Sequence, residues 1–280
     1  MSKDKSIKLH EPAQVVDDPW RSLRKYTTAR IGLGRAGISL PTHHHLEFQL
    51  AHARARDAVH SNLDIERLRQ NLNVHGYETI HLYSAANSRS TYLQRPDLGR
   101  RLDEKSEQHL QALESGTPHS YDIVFIIADG LSALAIEEHA VNFLNVMTKK
   151  LINENWKIAP VVIVEQGRVA VSDEIGALLG TDQAVILIGE RPGLSSPDSL
   201  GIYLTYDPKL GRNDADRNCI SNIRSEGQSY EGAAHKLFYL LSEARQRKLS
   251  GVNLKDEAEM IEHDNSDKKS VGNFLVSNDD

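Results

Sequence analysis

The chain has one cysteine, Cys219, in 280 residues. A single thiol excludes an internal disulfide framework and any metal site built from several cysteines. Long apolar runs are missing too: no stretch approaches the roughly 20 residues needed to cross a bilayer, and the charged start lacks the apolar core of a signal peptide. There is no basic excess, since 39 acidic side chains against 33 basic ones give a formal charge of −6. Mild acidity favours solubility and argues against a dedicated nucleic-acid surface. The expectation is a cytoplasmic, assembled protein with no membrane and no nucleic-acid partner, long enough for one large domain or two modest ones.

Metal-ligand spacing is also lacking. His43, His44 and His45 are consecutive and point in different directions on a helix, whereas helical ligands recur at i,i+3 or i,i+4. His139 follows Glu138 without completing H-E-x-x-H, and reads as a core or interface histidine. The segment GLGRAG, Gly32 to Gly37, has the spacing of a dinucleotide fingerprint but neither a preceding strand nor a βαβ unit around it.

What is present centres on Tyr121 to Leu194. Three β-rich runs, YDIVFIIADGLS, APVVIVEQGRVAVSDEIG and QAVILIGERPGL, alternate with helix-compatible segments. Runs apolar on both faces belong to parallel strands covered by helices on either side. The spacers suit right-handed crossovers, which makes the line of strand C-termini the ligand edge. Asp129, Gly130, Gly167, Glu190 and Gly193 fall along or near it. The Asp129-Gly130 turn opens a helix whose first N–H groups can bind a phosphate or amide oxygen, and Asp129 either caps that helix or orients a donor. Glu190 either accepts hydrogen bonds from ligand amides or hydroxyls, or pairs with its neighbours. Leu200 to Thr205 supplies another strand. Cys219 lies in the polar stretch GRNDADRNCISNIRSEG, and without a recognisable base it reads as packing or as contact with a large ligand rather than as a nucleophile. Tyr230 to Arg247 is the last clear helix.

Upstream, Asp18-Pro19-Trp20 is a helix start, with an acidic N-cap before proline. A helix-like stretch runs from His43 to about Arg69, with Phe48, Ala51, Ala55, Ala58 and Val59 as a close-packed face. Arg89, Arg95, Arg100 and Arg101 suit either bound phosphates or amides, or salt bridges. The resulting division is a flexible N-terminal arm (1–19), a mainly helical partner-binding region (20–116), an α/β domain (117–254) and a disordered acidic tail (255–280), with the boundary at ESGTP. The fold class is α/β: a Rossmann-like, mostly parallel sheet preceded by a mainly helical N-terminal lobe.

From Trp20 to Asn253 the stretches ARIGLGRAG with SLPT, LEFQLAHARARDAVH, IADGLSALAIEEHA, GRVAVSDEIG, LIGERPGL, DRNCISNI and SGVNL follow one another. In that order they resemble the small subunit of ethanolamine ammonia-lyase, the adenosylcobalamin-dependent enzyme that converts ethanolamine to acetaldehyde and ammonia. The resemblance implies a higher-order heteromer with a TIM-barrel large subunit that holds the substrate, the cofactor lying at the interface, and packaging in a bacterial microcompartment. It carries cofactor contacts over to Val169 in GRVAV, Glu190 in GERPG and Cys219 in DRNCIS, and assigns no catalytic residue and no metal ligand to this chain. The D-x-H-x-x-G pattern of base-off cobalamin modules is missing, so the implied binding mode is base-on. Two other readings are a nucleotide-dependent α/β enzyme using the Asp129-Gly130 turn and GLGRAG, and a purely structural assembly subunit.

Overall fold

The computed structural model describes residues 15–114 and 121–257. The expectations for the arm up to residue 14, for the boundary beginning at Ser115 and for the tail from Ala258 lie outside the described residues. Among the described residues six strands form one sheet: β1 (Thr79–Tyr83), β2 (Ile123–Ala128), β3 (Val161–Glu165), β4 (Gln183–Gly189), β5 (Leu200–Tyr206) and β6 (Arg217–Ile223), in the order β1-β3-β2-β4-β5-β6. The first four are parallel and the last two antiparallel to their neighbours. Chain length explains the change. Helices connect the parallel strands, whereas residues 190–199 between β4 and β5 are too few for the dozen or more that a crossover takes.

The sequence expectations need three corrections. The helix expected from His43 to about Arg69 is two helices, α1 (Thr42–His60) and α2 (Ile65–Val74). Ser61 turns extended, its N–H and Oγ both bonding to the Asp57 carbonyl, and Asp64 caps α2 by accepting from the Arg67 N–H at 3.0 Å. Of the proposed face of α1 only Ala58 is buried, and Phe48 stays exposed beside Leu46 and Leu50. The region read as mainly helical also supplies β1, the edge strand paired with β3, before the helices α3 (Arg89–Gln94) and α4 (Glu104–Glu114). Finally, the polar stretch around Cys219 is strand β6: its outward positions are polar because it is an edge, while Ile220 and Ile223 are buried.

β2 and β4 are buried along their whole length, as continuous apolar runs require. Alternation within β2 divides two cores. Ile123, Phe125 and Ile127 face α5 (Ala133–Asn153) and, beyond α6 (Val171–Leu178) in the chain, α7 (Tyr230–Arg247). Val124, Ile126 and Ala128 face the other side, where Leu110 of α4 and Ile175 of α6 pack. Each such large side chain contributes about 1.5–3 kcal/mol on burial. The two helices on the first face, α5 and α7, begin at a serine cap: Ser132 Oγ accepts from the Ala135 N–H at α5, and Ser229 Oγ accepts from the Gly232 N–H at α7.

Upstream of α1, Asp18 caps a 3₁₀ turn, Pro19–Lys25, by accepting from the Trp20 N–H. The glycines of GLGRAG serve this segment. Gly32 and Gly34 have positive φ, and a side chain on either would meet the backbone of Trp20 and Arg21 or of Val16.

Candidate functional site

The C-terminal ends of β1, β3, β2 and β4 lie on one edge of the sheet, and three loops rise from it: 129–132, 166–170 and 190–199. Asp129 does not cap α5, a role that Ser132 fills. Its carboxylate is 2 % exposed and accepts from the Gly130 N–H at 3.0 Å, while Arg89 approaches at 3.3 Å. Burial pushes the Asp129 carboxyl up to about 6, opposed by the Arg89 charge and by the N–H groups of Gly167, Gln166 and Gly130. Arg89, at the start of α3, also donates to the carbonyls of Val59 and Gly130, each at 2.7 Å. This pair therefore ties the loops after β2 and β3 to the end of α1.

Beside these loops lies an open depression of about 470 Å³, lined in part by Tyr92, Arg168, Val169, Glu190 and Tyr203. A second, of about 490 Å³, shares Arg168 and Val169 and extends toward Arg100 and Asp214. Glu190 folds over Gly201, where a side chain would come within 2.9 Å of its Oε1. Glu190 Oε2 accepts from Ser199 Oγ at 2.5 Å and from the Asn222 N–H at 3.3 Å. Cys219 pairs with Tyr203 across β5 and β6, which sets the tyrosine hydroxyl close enough to its sulfur to favour the thiolate. Although Cys219 is exposed overall, desolvation of the sulfur pushes the thiol up, the Tyr203 bond opposes this, and the Glu190 charge adds to it. Val169 uses its carbonyl to hold Ser172 Oγ at 2.8 Å, and its half-buried side chain stays on the rim.

Two ion pairs brace this rim. Asp173 on α6 meets Arg217 on β6, with both side chains sealed from solvent, and so links the helix after Val169 to the strand of Cys219. Arg101 grips Glu174 through two hydrogen bonds, 2.8 and 3.1 Å, and Glu174 also takes the Leu102 N–H. Arg95 pairs locally with Asp97, and Arg100 lies 3.9 Å from Asp214. His139 is buried, with Nδ1 at 2.8 Å from the Tyr230 hydroxyl and Nε2 at 3.4 Å from Asp198.

The structure thus places Val169 and Glu190 on one depression and Cys219 next to it, opposite the lining residue Tyr203. Gly193 sits farther along the 190–199 loop, hydrogen-bonded to Ser196. Sequence reasoning missed Tyr92, Arg168 and Tyr203. Strand alternation held a signal for Tyr203, since Ile202 and Leu204 belong to the opposite face.

Together these features define a mixed α/β protein whose strand ends frame an open, polar-rimmed depression. The family model for the ethanolamine ammonia-lyase light chain (EutC) matches residues 17–255. The chain is 54% identical over 280 residues to the ethanolamine ammonia-lyase small subunit of Pseudomonas fluorescens (strain SBW25), covering 99% of each chain. It is 57% identical over 265 residues to that of Pseudomonas syringae pv. tomato, covering 92% of each. The chain belongs to the ethanolamine ammonia-lyase light-chain family.

Proposed function

We propose that the chain is the small subunit of an adenosylcobalamin-dependent ethanolamine ammonia-lyase, and that Val169, Glu190 and Cys219 help to hold a base-on cobalamin against a TIM-barrel large subunit. The observation that carries this reading is that Val169 and Glu190, distant in sequence, line one open depression, while Cys219 stands opposite Tyr203, a third lining residue, within reach of the Glu190 charge. The residues fit the group. A corrinoid is fringed with carboxamides, and the rim offers an acceptor in Glu190, a backbone N–H at Val169 and a polarisable sulfur at Cys219. When bound, the cofactor supplies a carbon-centred radical by cobalt–carbon homolysis. The work of this chain is to orient the corrinoid and to exclude water from one side of it. Glu190, fixed by Ser199 and Asn222, presents its carboxylate without reorganising.

The large-subunit interface in this reading includes α1 and the segment before it, where Trp20, Leu46, Phe48 and Leu50 are exposed. The Rossmann-like description belongs to the parallel strands and their helices, with the mainly helical region before them as the partner-binding part. The reading extends to a cytoplasmic enzyme packaged in a bacterial microcompartment. Among the described residues no helix is long and apolar enough to cross a membrane.

A nucleotide enzyme is disfavoured by two observations. GLGRAG packs against the 3₁₀ turn instead of following a strand, and at the turn after β2 the Gly130 N–H is already taken by the buried Asp129 carboxylate and the Ala135 N–H of α5 by Ser132 Oγ. The test is co-expression with the large subunit, measuring cobalamin-dependent deamination with each polypeptide omitted in turn and cobalamin binding by a Glu190→Ala complex. Activity is expected only with both chains, and binding is expected to weaken about tenfold or more. Activity from this chain alone, or unchanged binding in the variant, would overturn the proposal.

A further inference from the structure

We infer that Arg168 is a fourth contact for the corrinoid, donating from its guanidinium to an oxygen acceptor at the cofactor's edge. The inference rests on the cobalamin reading above. Arg168 lines both depressions and lies immediately before Val169. Its Nε is sealed from solvent and has no hydrogen-bond partner among the described residues. Leaving a buried donor unmet is costly, so this chain alone does not fully satisfy the guanidinium, and the residue as a whole is only half-buried, which leaves part of the side chain reachable from the depressions it lines.

The guanidinium is also held ready. Its carbon lies 4.2 Å from the centre of the Tyr92 ring, and Nη2 donates to the Tyr92 carbonyl at 3.1 Å. The Arg168 N–H donates to the Gly99 carbonyl at 2.7 Å, and Gly99 leaves room for the side chain, because a Cβ there would lie 2.8 Å from Arg168 Cγ. Tyr92 itself is 1 % exposed, so the platform is fixed. Among the described residues no ion pair involves Arg168, while the nearby carboxylates Asp97 and Asp214 face Arg95, Arg100 and Arg217. Arg168 is therefore a preorganised cation beside an open depression, complementary to the acceptor Glu190.

Two groups of a cobalamin carry the required oxygen: a carboxamide and the phosphodiester of the nucleotide loop. The experiment is an absorbance titration of the co-expressed complex with cobalamin and with cobinamide, which lacks the nucleotide loop. Arg168→Gln and Arg168→Lys are compared with wild type, with Glu190→Ala as reference. Arg168→Gln is expected to weaken cobalamin binding about tenfold or more, and Arg168→Lys about threefold, because lysine keeps the charge but loses the planar fork and the stack. Equal weakening for cobalamin and cobinamide assigns a carboxamide. Weakening confined to cobalamin, and growing as salt is lowered, assigns the phosphate. If Glu190→Ala weakens binding while both Arg168 variants stay within twofold of wild type, this inference fails and the functional reading stands. If none of the three matters, both fail. Should Arg168→Gln not assemble, the same twofold criterion applies to Arg168→Lys.

Discussion

Replacing Arg217 with methionine removes the cation that faces Asp173 and keeps most of the volume. Both side chains are nearly sealed, 2 % and 3 % exposed, so water cannot take the place of the lost partner. Breaking a buried pair in this way costs about 3–5 kcal/mol, most of it from the charge left behind. The pH dependence fixes the cause. Burial already lifts the Asp173 carboxyl from 3.8 to about 6, with Arg217 opposing, so the folded chain holds this proton more tightly than the unfolded chain. The contribution is therefore fully present below about pH 4 and lost as pH rises through about 6. Without Arg217 the folded value moves further up, and the penalty of Arg217→Met grows from about pH 5 to about pH 8. Urea unfolding followed by the fluorescence of the buried Trp156 measures it. A companion Asp173→Leu/Arg217→Met variant is expected to recover most of the loss. A loss under about 1 kcal/mol at about pH 8, or a larger loss at about pH 5 than there, would refute the reasoning.

The thiol and the turn give two more tests. Glu190→Gln removes a negative charge that raises the Cys219 thiol, so its alkylation by iodoacetamide in the cofactor-free protein should quicken at about pH 8, with the pH–rate profile shifted to lower pH; an unshifted profile would show that the two groups are not coupled. Gly130→Ala should lower stability by about 2 kcal/mol or more in urea unfolding, because the residue has φ +57° and a Cβ would press on the Gly189 backbone; an unchanged midpoint would mean that the β2 and β4 ends are not in contact.

Local chemistry made much of this fold legible. The three apolar runs became β2, β3 and β4 because a strand buried on both faces needs nothing but apolar residues. The Asp18-Pro19 start and the helix at Tyr230–Arg247 were equally readable, since caps and helical periodicity act within a few residues. β1 and β6 were not read as strands. Both are edges, half open to water, and an edge strand carries polar residues that also suit a loop.

For the site, the sequence by itself determined that loop residues such as Glu190 follow the C-terminal end of a buried strand, and it supplied the stretches that resemble the family. It did not determine which of Val169, Glu190 and Cys219 lie near one another. That was decided when β5 and β6 added antiparallel to β4, which brought Cys219 onto Tyr203 and both beside Glu190. The surroundings of Arg89, Arg168 and Arg217 were likewise settled only in three dimensions. An arginine looks the same in sequence whether it meets water, a buried carboxylate or an aromatic ring, and the fold alone determines which of these surrounds it.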